Sequence, residues 1–78
     1  MTATPFTLRG EHITLDALLK ATGLVSSGGE AKVFITAGRV HVNGEAETRR
    51  GRKLRAGDEV VLGTACVQLL TAATAAGQ

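Results

Sequence analysis

Apolar residues first alternate with polar ones and then recur with the spacing of a helix. The alternation of Phe6 and Leu8 with polar neighbours predicts a short strand over residues 6–9, which Gly10 ends. Leu15, Leu18 and Leu19 then fall at i, i+3 and i+4, which is the spacing of one apolar helix face. We therefore expect a first helix over residues 13–23, with Thr14 as its N-cap and Gly23 at its exit.

A capping box predicts the start of a second helix. Two glycines separate Ser27 from Glu30, so the serine hydroxyl can accept from the helix backbone while the glutamate reaches back. The helix is expected to run through Ala37 and to stop at Gly38. Its expected buried face consists of Ala31, Phe34 and Ile35. Another face is marked by the spacing of Lys32, Thr36 and Arg39, although Arg39 lies past the helix end.

Short strands fill the rest of the chain. Val40 and Val42 flank a polar residue, and the Asn43-Gly44 pair that follows is a strong hairpin signal, so strands are expected at 40–42 and 45–48. Residues 49–55, called the basic loop here, contain one expected core anchor, Leu54. Further strands are expected at 59–62 and 65–70. This order predicts an α+β fold, with a short N-terminal strand and two packed helices followed by a small, mostly antiparallel β-sheet.

A chain of 78 residues makes at most one domain. We expect a single domain over residues 1–78, with an ordered core at about 6–70 and flexible ends at 1–5 and 71–78. The one cysteine, Cys66, cannot form an intramolecular disulfide and is expected as a small core residue, which suits a reducing compartment. The N-terminus lacks the pattern of a signal peptide, and no apolar run approaches the ~20 residues that span a bilayer. The sequence therefore predicts a cytoplasmic protein with no membrane partner.

The cations are concentrated in one stretch of the chain. Residues 31–55 contain seven Lys and Arg residues against two Glu residues, a local net charge of +5, whereas the remainder has two cations against five carboxylates, or −3. Such an asymmetry is typical of a phosphate-binding face, and we expect RNA as the partner. The sequence has no Trp or Tyr, and both Phe residues fall at core positions, so stacking on single-stranded bases is not expected. Recognition of duplex, hairpin or junction RNA through phosphates, 2′-hydroxyls and shape is favoured instead.

Two segments are candidate contacts for phosphate. At the start of the second helix, Ser27, Gly28 and Gly29 leave backbone N–H groups accessible at the positive end of the helix dipole, although Glu30 opposes a second anion there. The basic loop has no carboxylate among its first five residues, and its guanidinium groups match phosphate oxygens. The candidate side chains are Lys32, Arg39, Arg49, Arg50, Arg52, Lys53 and Arg55.

The order of several short motifs resembles the S4-type RNA-binding domain, also called the αL motif. They read L-x-x-L-L-K-x-x-G, then S-G-G-x-A-K, then G-x-V-x-V-N-G-x-x-E-x-R-R-G-x-K-L-x-x-G-D-x-V, over about residues 14–62. The chain is similar in particular to the stand-alone bacterial YbcJ-type members. The resemblance implies a helix pair and basic turn that grip structured RNA, often ribosomal or tRNA-like, sometimes within ribosomal particles. Many ribosomal members carry an Arg soon after the Ser that opens the second helix, whereas Gly28 and Gly29 stand there here, which favours backbone contact.

Two other functions are compatible with the same residues. In the first, the two helices act as a DNA-binding helix-turn-helix with Lys32 and Thr36 facing a major groove, although the cations cluster after the helices. In the second, the basic loop docks an acidic protein. An enzyme is not expected, since the sequence shows no paired carboxylates, metal-ligand cluster, nucleophile-base arrangement or P-loop. We expect a monomer without cofactor or metal.

Overall fold

The computed structural model describes residues 3–71, and residues 1–2 and 72–78 lie outside the described residues. The described part contains seven strands and two helices. In chain order they are β1 (Thr4–Leu8), β2 (Ile13–Thr14), α1 (Leu15–Ala21), α2 (Gly28–Thr36), β3 (Val40–Val42), β4 (Glu45–Ala46), β5 (Lys53–Leu54), β6 (Glu59–Leu62) and β7 (Ala65–Thr71). The prediction of an α+β fold is confirmed.

The helix α1 is shorter than the sequence predicts. Its start at Ile13 was wrong, because Ile13 and Thr14 have extended backbone and form β2, so that the helix begins at Leu15. Thr14 occupies the N-cap position, but its hydroxyl makes no cap and donates to Asp16 Oδ1 at 2.7 Å. The helix ends at Ala21, and Gly23 takes a positive φ of 78° as an exit residue. The three predicted leucines are fully buried.

The helix α2 begins where its sequence predicts. Ser27 Oγ accepts from the Glu30 N–H at 3.2 Å, and Glu30 Oε1 accepts from the Ser26 N–H at 2.8 Å, one residue earlier than in a standard capping box. The helix ends at Thr36 with Ala37 as its C-cap, followed by Gly38 at a φ of 75°. Of the predicted buried face, Ala31 and Ile35 are fully buried, whereas Phe34 is only partly covered.

The main sheet has the strand order β1-β7-β6-β3-β4. Among residues 4–71, β1 pairs parallel with β7, and the other three neighbouring pairs are antiparallel, which confirms a mostly antiparallel sheet. The helices pack on the face that carries Val40, Val60 and Leu69, all fully buried. Cys66 is buried as expected, but its alternation with Val67 and its register with Val61 place it on the opposite sheet face.

The Asn43-Gly44 turn joins β3 to β4 as predicted, with positive φ angles of 52° and 88°. The returning strand is shorter than expected and covers only Glu45–Ala46, so the prediction of a strand to residue 48 was wrong. The backbone leaves the ladder there because Glu47 turns toward the basic loop, where its carboxylate is bound.

A second, two-stranded sheet was not anticipated. It pairs β2 with β5, with Ile13 opposite Leu54 and Thr14 opposite Lys53. Part of the basic loop is therefore regular structure, and its expected anchor Leu54 is fully buried. The termini also differ from expectation, because Thr4, Pro5 and Thr71 lie in paired strands although residues 1–5 and 71–78 were expected to be flexible. The other residues that were expected to be flexible, 1–2 and 72–78, lie outside the described residues, whereas Ala3 is described and belongs to no strand.

Candidate nucleic-acid interface

The backbone of the basic loop is fastened to the start of α1. The loop opens with a turn in which the Arg52 N–H donates to the Arg49 carbonyl at 3.2 Å. Its carbonyl groups then take the place of a helix cap, since Leu15 N–H donates to the Arg52 carbonyl at 2.9 Å and Asp16 N–H to the Arg50 carbonyl at 3.1 Å. Together with the buried Leu54, these bonds fix the position of the turn relative to the helix pair.

A carboxylate that the sequence analysis passed over lies under this turn. Glu47 is only 7% exposed, and its Oε2 accepts from Arg49 Nε at 3.0 Å and from the Arg49 N–H at 3.1 Å. Its Oε1 accepts from Arg49 Nη2 at 3.2 Å and from Arg52 Nη1 at 2.8 Å. The hydrogen bonds from Arg49, and then those from Arg52, lower the pKa of Glu47 to about 2. Residues 49–53 contain no acid themselves, but the turn folds back onto Glu47, so that two of its guanidinium groups face a carboxylate.

The basic loop remains positive despite this pairing. Within residues 3–71 the ion pairs are those of Glu47 with Arg49 and Arg52, so one carboxylate faces two guanidinium groups. Arg50 and Lys53 are exposed and belong to neither pair. An open depression in the surface is lined by Arg49, Gly51, Arg52 and Lys53. Four of the predicted contacts thus lie in or beside one short turn.

The end of the loop is attached to the β3–β4 hairpin. Asp58 accepts from the Arg55 N–H at 2.9 Å and from Asn43 Nδ2 at 3.0 Å, while Asn43 Oδ1 accepts from the Glu59 N–H at 2.9 Å. Burial acts to raise the pKa of Asp58, but these hydrogen bonds and the charges of Arg52 and Arg55 lower it overall. The Arg55 side chain itself is exposed.

A cation that the sequence analysis did not single out, Lys20 of α1, lies beside the start of α2. The N–H groups of Gly28 and Gly29 have no acceptor among the described residues, whereas Ser27 Oγ is already bonded to Glu30. Lys20 Nζ lies 3.9 Å from the position that a Cβ on Gly28 would occupy. Lys20 stands in the last turn of α1, far from residues 31–55 in sequence, and only the packing of α1 against α2 brings it there.

The remaining predicted residues are not joined to the basic loop. Lys32 is exposed on α2, and its carbonyl accepts from Thr36 Oγ1 at 2.8 Å. The Arg39 guanidinium lies 5.5 Å from the centre of the Phe34 ring, past the helix end as expected. Among the described residues, no hydrogen bond or ion pair links the side chains of Lys32, Arg39 or Arg55 to the turn. Whether all the cations act on one ligand therefore stays a prediction.

Two other kinds of feature are absent from the part of the chain that the structure describes. Between residues 3 and 71, no group of three or more His, Cys, Asp or Glu side chains is arranged to hold a metal ion. Neither α1 nor α2, the helices of that range, is long and apolar enough to cross a membrane.

Comparison with known proteins points to one family. The sequence matches the S4 domain family over residues 6–70. It is 47% identical over 58 residues to the "probable ribosome maturation protein RlbA" of Bacillus subtilis, covering 74% of this chain and 82% of that protein. It is 41% identical over 59 residues to YbcJ of Escherichia coli, covering 76% and 84%. The solution structure of YbcJ from E. coli, described as revealing an αL motif involved in RNA binding, superposes with a TM-score of 0.69 at 37% identity and covers 90% of each chain.

Proposed function

Because the chain belongs to the S4 domain family and resembles its stand-alone YbcJ-like members, we propose that it is an RNA-binding protein that grips structured RNA. The observation that carries this proposal is the basic loop. Its backbone is held on α1 by two hydrogen bonds, while Arg50 and Lys53 project without a carboxylate partner. Unpaired cations on a backbone held in this way suit the phosphate oxygens of a nucleic acid.

We assign the contacts to three places. Arg49, Arg50, Arg52, Lys53 and Arg55 of the basic loop would hold phosphates. The free N–H groups of Gly28 and Gly29, beside Ser27, would receive a phosphate at the helix dipole, with Lys20 as an added cation. Lys32 and Arg39 would extend the contact along α2. The basic loop and the start of α2 are separated by the seven residues of α1, which span about 10 Å. One folded RNA can therefore reach both.

The positions of the aromatic rings favour recognition of RNA by its shape over stacking on its bases. The sequence contains no Trp or Tyr, and its two Phe residues, Phe6 and Phe34, are both partly buried against the core. Single-strand binders usually present exposed rings to successive bases. We therefore propose contacts to phosphates and 2′-hydroxyl groups of a helical or hairpin RNA, with low sequence specificity.

The kind of RNA that the protein binds is proposed from its relatives. The name of the B. subtilis protein refers to ribosome maturation, which supports ribosomal RNA or a ribosome-assembly intermediate as the target. A ribosomal target would place the protein in the cytoplasm. We further propose that it acts as a monomer and binds RNA without catalysing a reaction.

The site assignment is tested by the salt dependence of RNA affinity. Arg50→Ala removes an exposed, unpaired cation, so the slope of log affinity against log salt should flatten by roughly 0.7–0.9 if Arg50 neutralises one phosphate. Arg9→Ala removes the same charge outside the assigned residues and serves as the matched control. Equal slopes for Arg50→Ala and the wild-type protein would reject the assignment.

The class of partner is tested by competition. An RNA hairpin and a DNA duplex of matching sequence compete for the protein at fixed salt, and we expect the RNA to win. Preference for the DNA would favour a helix-turn-helix mode. Protein partners that remain bound after RNase treatment in a pull-down would favour a docking adaptor.

A further inference from the structure

Glu47 occupies an unusual position for a glutamate. Its backbone directly follows β4 and is tied to β3, since the Glu47 N–H donates to the Val40 carbonyl at 2.9 Å. Its side chain is buried and receives four hydrogen bonds, all from Arg49 and Arg52. Glutamates are almost never this buried unless they are paired. The carboxylate therefore connects the rigid sheet to the two guanidinium groups of the turn.

The pairing leaves most of the donors of the two arginines available. A guanidinium has five N–H donors. Arg49 gives two of them to Glu47 and Arg52 gives one, so that three and four remain. The Arg49 side chain is 73% exposed and that of Arg52 is 34% exposed. The remaining donors can therefore meet a ligand from solvent while the groups stay ordered on Glu47.

Gly51, between these arginines, is not required by the fold. It lies outside the set of glycines with positive φ, and a Cβ at Gly51 would meet no atom within 4 Å. Alanine would fit the turn itself. Gly51 nevertheless lines the same depression as Arg49, Arg52 and Lys53, so a methyl group there would add bulk to the lining of that depression.

We propose that Glu47 is a positioning residue, which holds Arg49 and Arg52 together so that their free donors, with Lys53 and the open surface over Gly51, form one preassembled site for a single RNA phosphate. This inference rests on the proposed function. It adds that an acid beneath the basic loop strengthens RNA binding, because it fixes two long side chains before the ligand arrives. Ordering such side chains at binding otherwise weakens affinity.

The substitution Glu47→Gln separates positioning from simple charge. It raises the net charge by one, so if Glu47 acted only as a counter-charge, RNA would bind more tightly. If Glu47 positions the arginines, RNA binds roughly tenfold more weakly, since two guanidinium groups must then be ordered on binding. The matched control is Glu45→Gln, which makes the same charge change at an exposed residue two positions away, whose side chain forms no hydrogen bond or ion pair among the described residues.

Affinity for an RNA hairpin at fixed salt is the readout, after circular dichroism has shown that each variant is folded. Weaker binding by Glu47→Gln, with binding by Glu45→Gln unchanged or tighter, supports the proposal. Binding by Glu47→Gln as tight as the wild type, or tighter, overturns it. Gly51→Ala tests the shared phosphate position: we expect unchanged or slightly raised thermal stability and affinity reduced by about fivefold or more. Unchanged affinity would overturn that part.

A measurement without substitutions covers the case in which Glu47→Gln does not fold. In the free wild-type protein, NMR relaxation of the arginine Nε–Hε groups should show Arg49 to be as rigid as the backbone, with an order parameter of about 0.85, and Arg50 to be below about 0.6. Equal mobility of the two would overturn the proposal. Failure of this inference about Glu47 can be told apart from failure of the proposed RNA-binding function. If wild-type protein does not bind RNA, both fail, whereas if Arg50→Ala weakens binding and Glu47→Gln does not, only this inference fails.

Discussion

Acidification should destabilise the protein through Glu47. The hydrogen bonds from Arg49 and Arg52 lower its pKa from an ordinary value of 4.5 to about 2. Because the folded-state pKa lies below that of the unfolded chain, the stabilisation is fully present above about pH 5 and is lost as the pH falls toward 2. Protonation removes the negative charge that both guanidinium groups face. The ion pairs of Glu47 with Arg49 and Arg52 are then lost.

The magnitude follows from the size of the pKa change. At about 1.4 kcal/mol per pKa unit, the fall corresponds to an upper bound of roughly 3 kcal/mol. The Arg49 side chain is 73% exposed, so solvent screens part of that interaction, and exposed pairs contribute only about 0–1 kcal/mol each. We therefore expect Glu47 to contribute about 1–2 kcal/mol at neutral pH, which is a measurable share of the stability of a small domain.

The assay is urea unfolding from pH 2 to pH 7 for the wild type and for Glu47→Gln, which cannot titrate at this position. The free energies of unfolding should differ by about 1–2 kcal/mol at pH 7 and converge near pH 2. Glu45→Gln is the control, and its curve should stay close to that of the wild type. A difference between wild type and Glu47→Gln that is constant across the whole pH range would refute the reasoning, since it would show that the charge of Glu47 does not contribute.

Three substitutions and one control substitution test the local structure, each by thermal or urea unfolding. Leu54→Ala should cost about 2–5 kcal/mol, because this fully buried side chain anchors β5; a cost under about 1 kcal/mol would contradict that role. Ser27→Ala should cost about 1 kcal/mol through loss of the cap on the Glu30 N–H, and an unchanged stability would show that the cap is not needed. Gly38→Ala should cost about 1–2 kcal/mol because its φ is 75°, whereas Gly10→Ala, with open space and no positive φ, should have little effect; equal costs would contradict the backbone argument.

Local signals predicted the elements whose causes are local. The Ser27–Glu30 cap, the exit at Gly38 and the Asn43-Gly44 turn each depend on residues within about four positions, and all three occur in the structure. The two-residue ladder of β2 with β5 has no such signal. Its strands are too short to show a period, and each pairs with a segment about 40 residues away. The helix start at Ile13 was wrong for this reason.

In the candidate site too, the features with local causes could be predicted from the sequence, and those that depend on long-range packing could not. The sequence placed the cations in one stretch, and the turn from Arg49 to Arg52 brings several of them together. Sequence reasoning counted Glu47 only as a charge to subtract, since a single acid beside a strand end carries no signal of burial. Its E-x-R-R spacing was visible, but the contacts appear only when the turn folds back. Lys20 was missed because helix packing, not spacing, brings it to Gly28.

The most direct test of the central claim is an NMR titration of the protein with an RNA hairpin, followed through its backbone amide signals. We expect the largest shifts at Gly28, Gly29 and Lys32 and across residues 49–53, with small shifts in β7, which carries none of the assigned residues. Absence of any shift with RNA, or shifts concentrated in β7 while residues 49–53 stay unchanged, would contradict it.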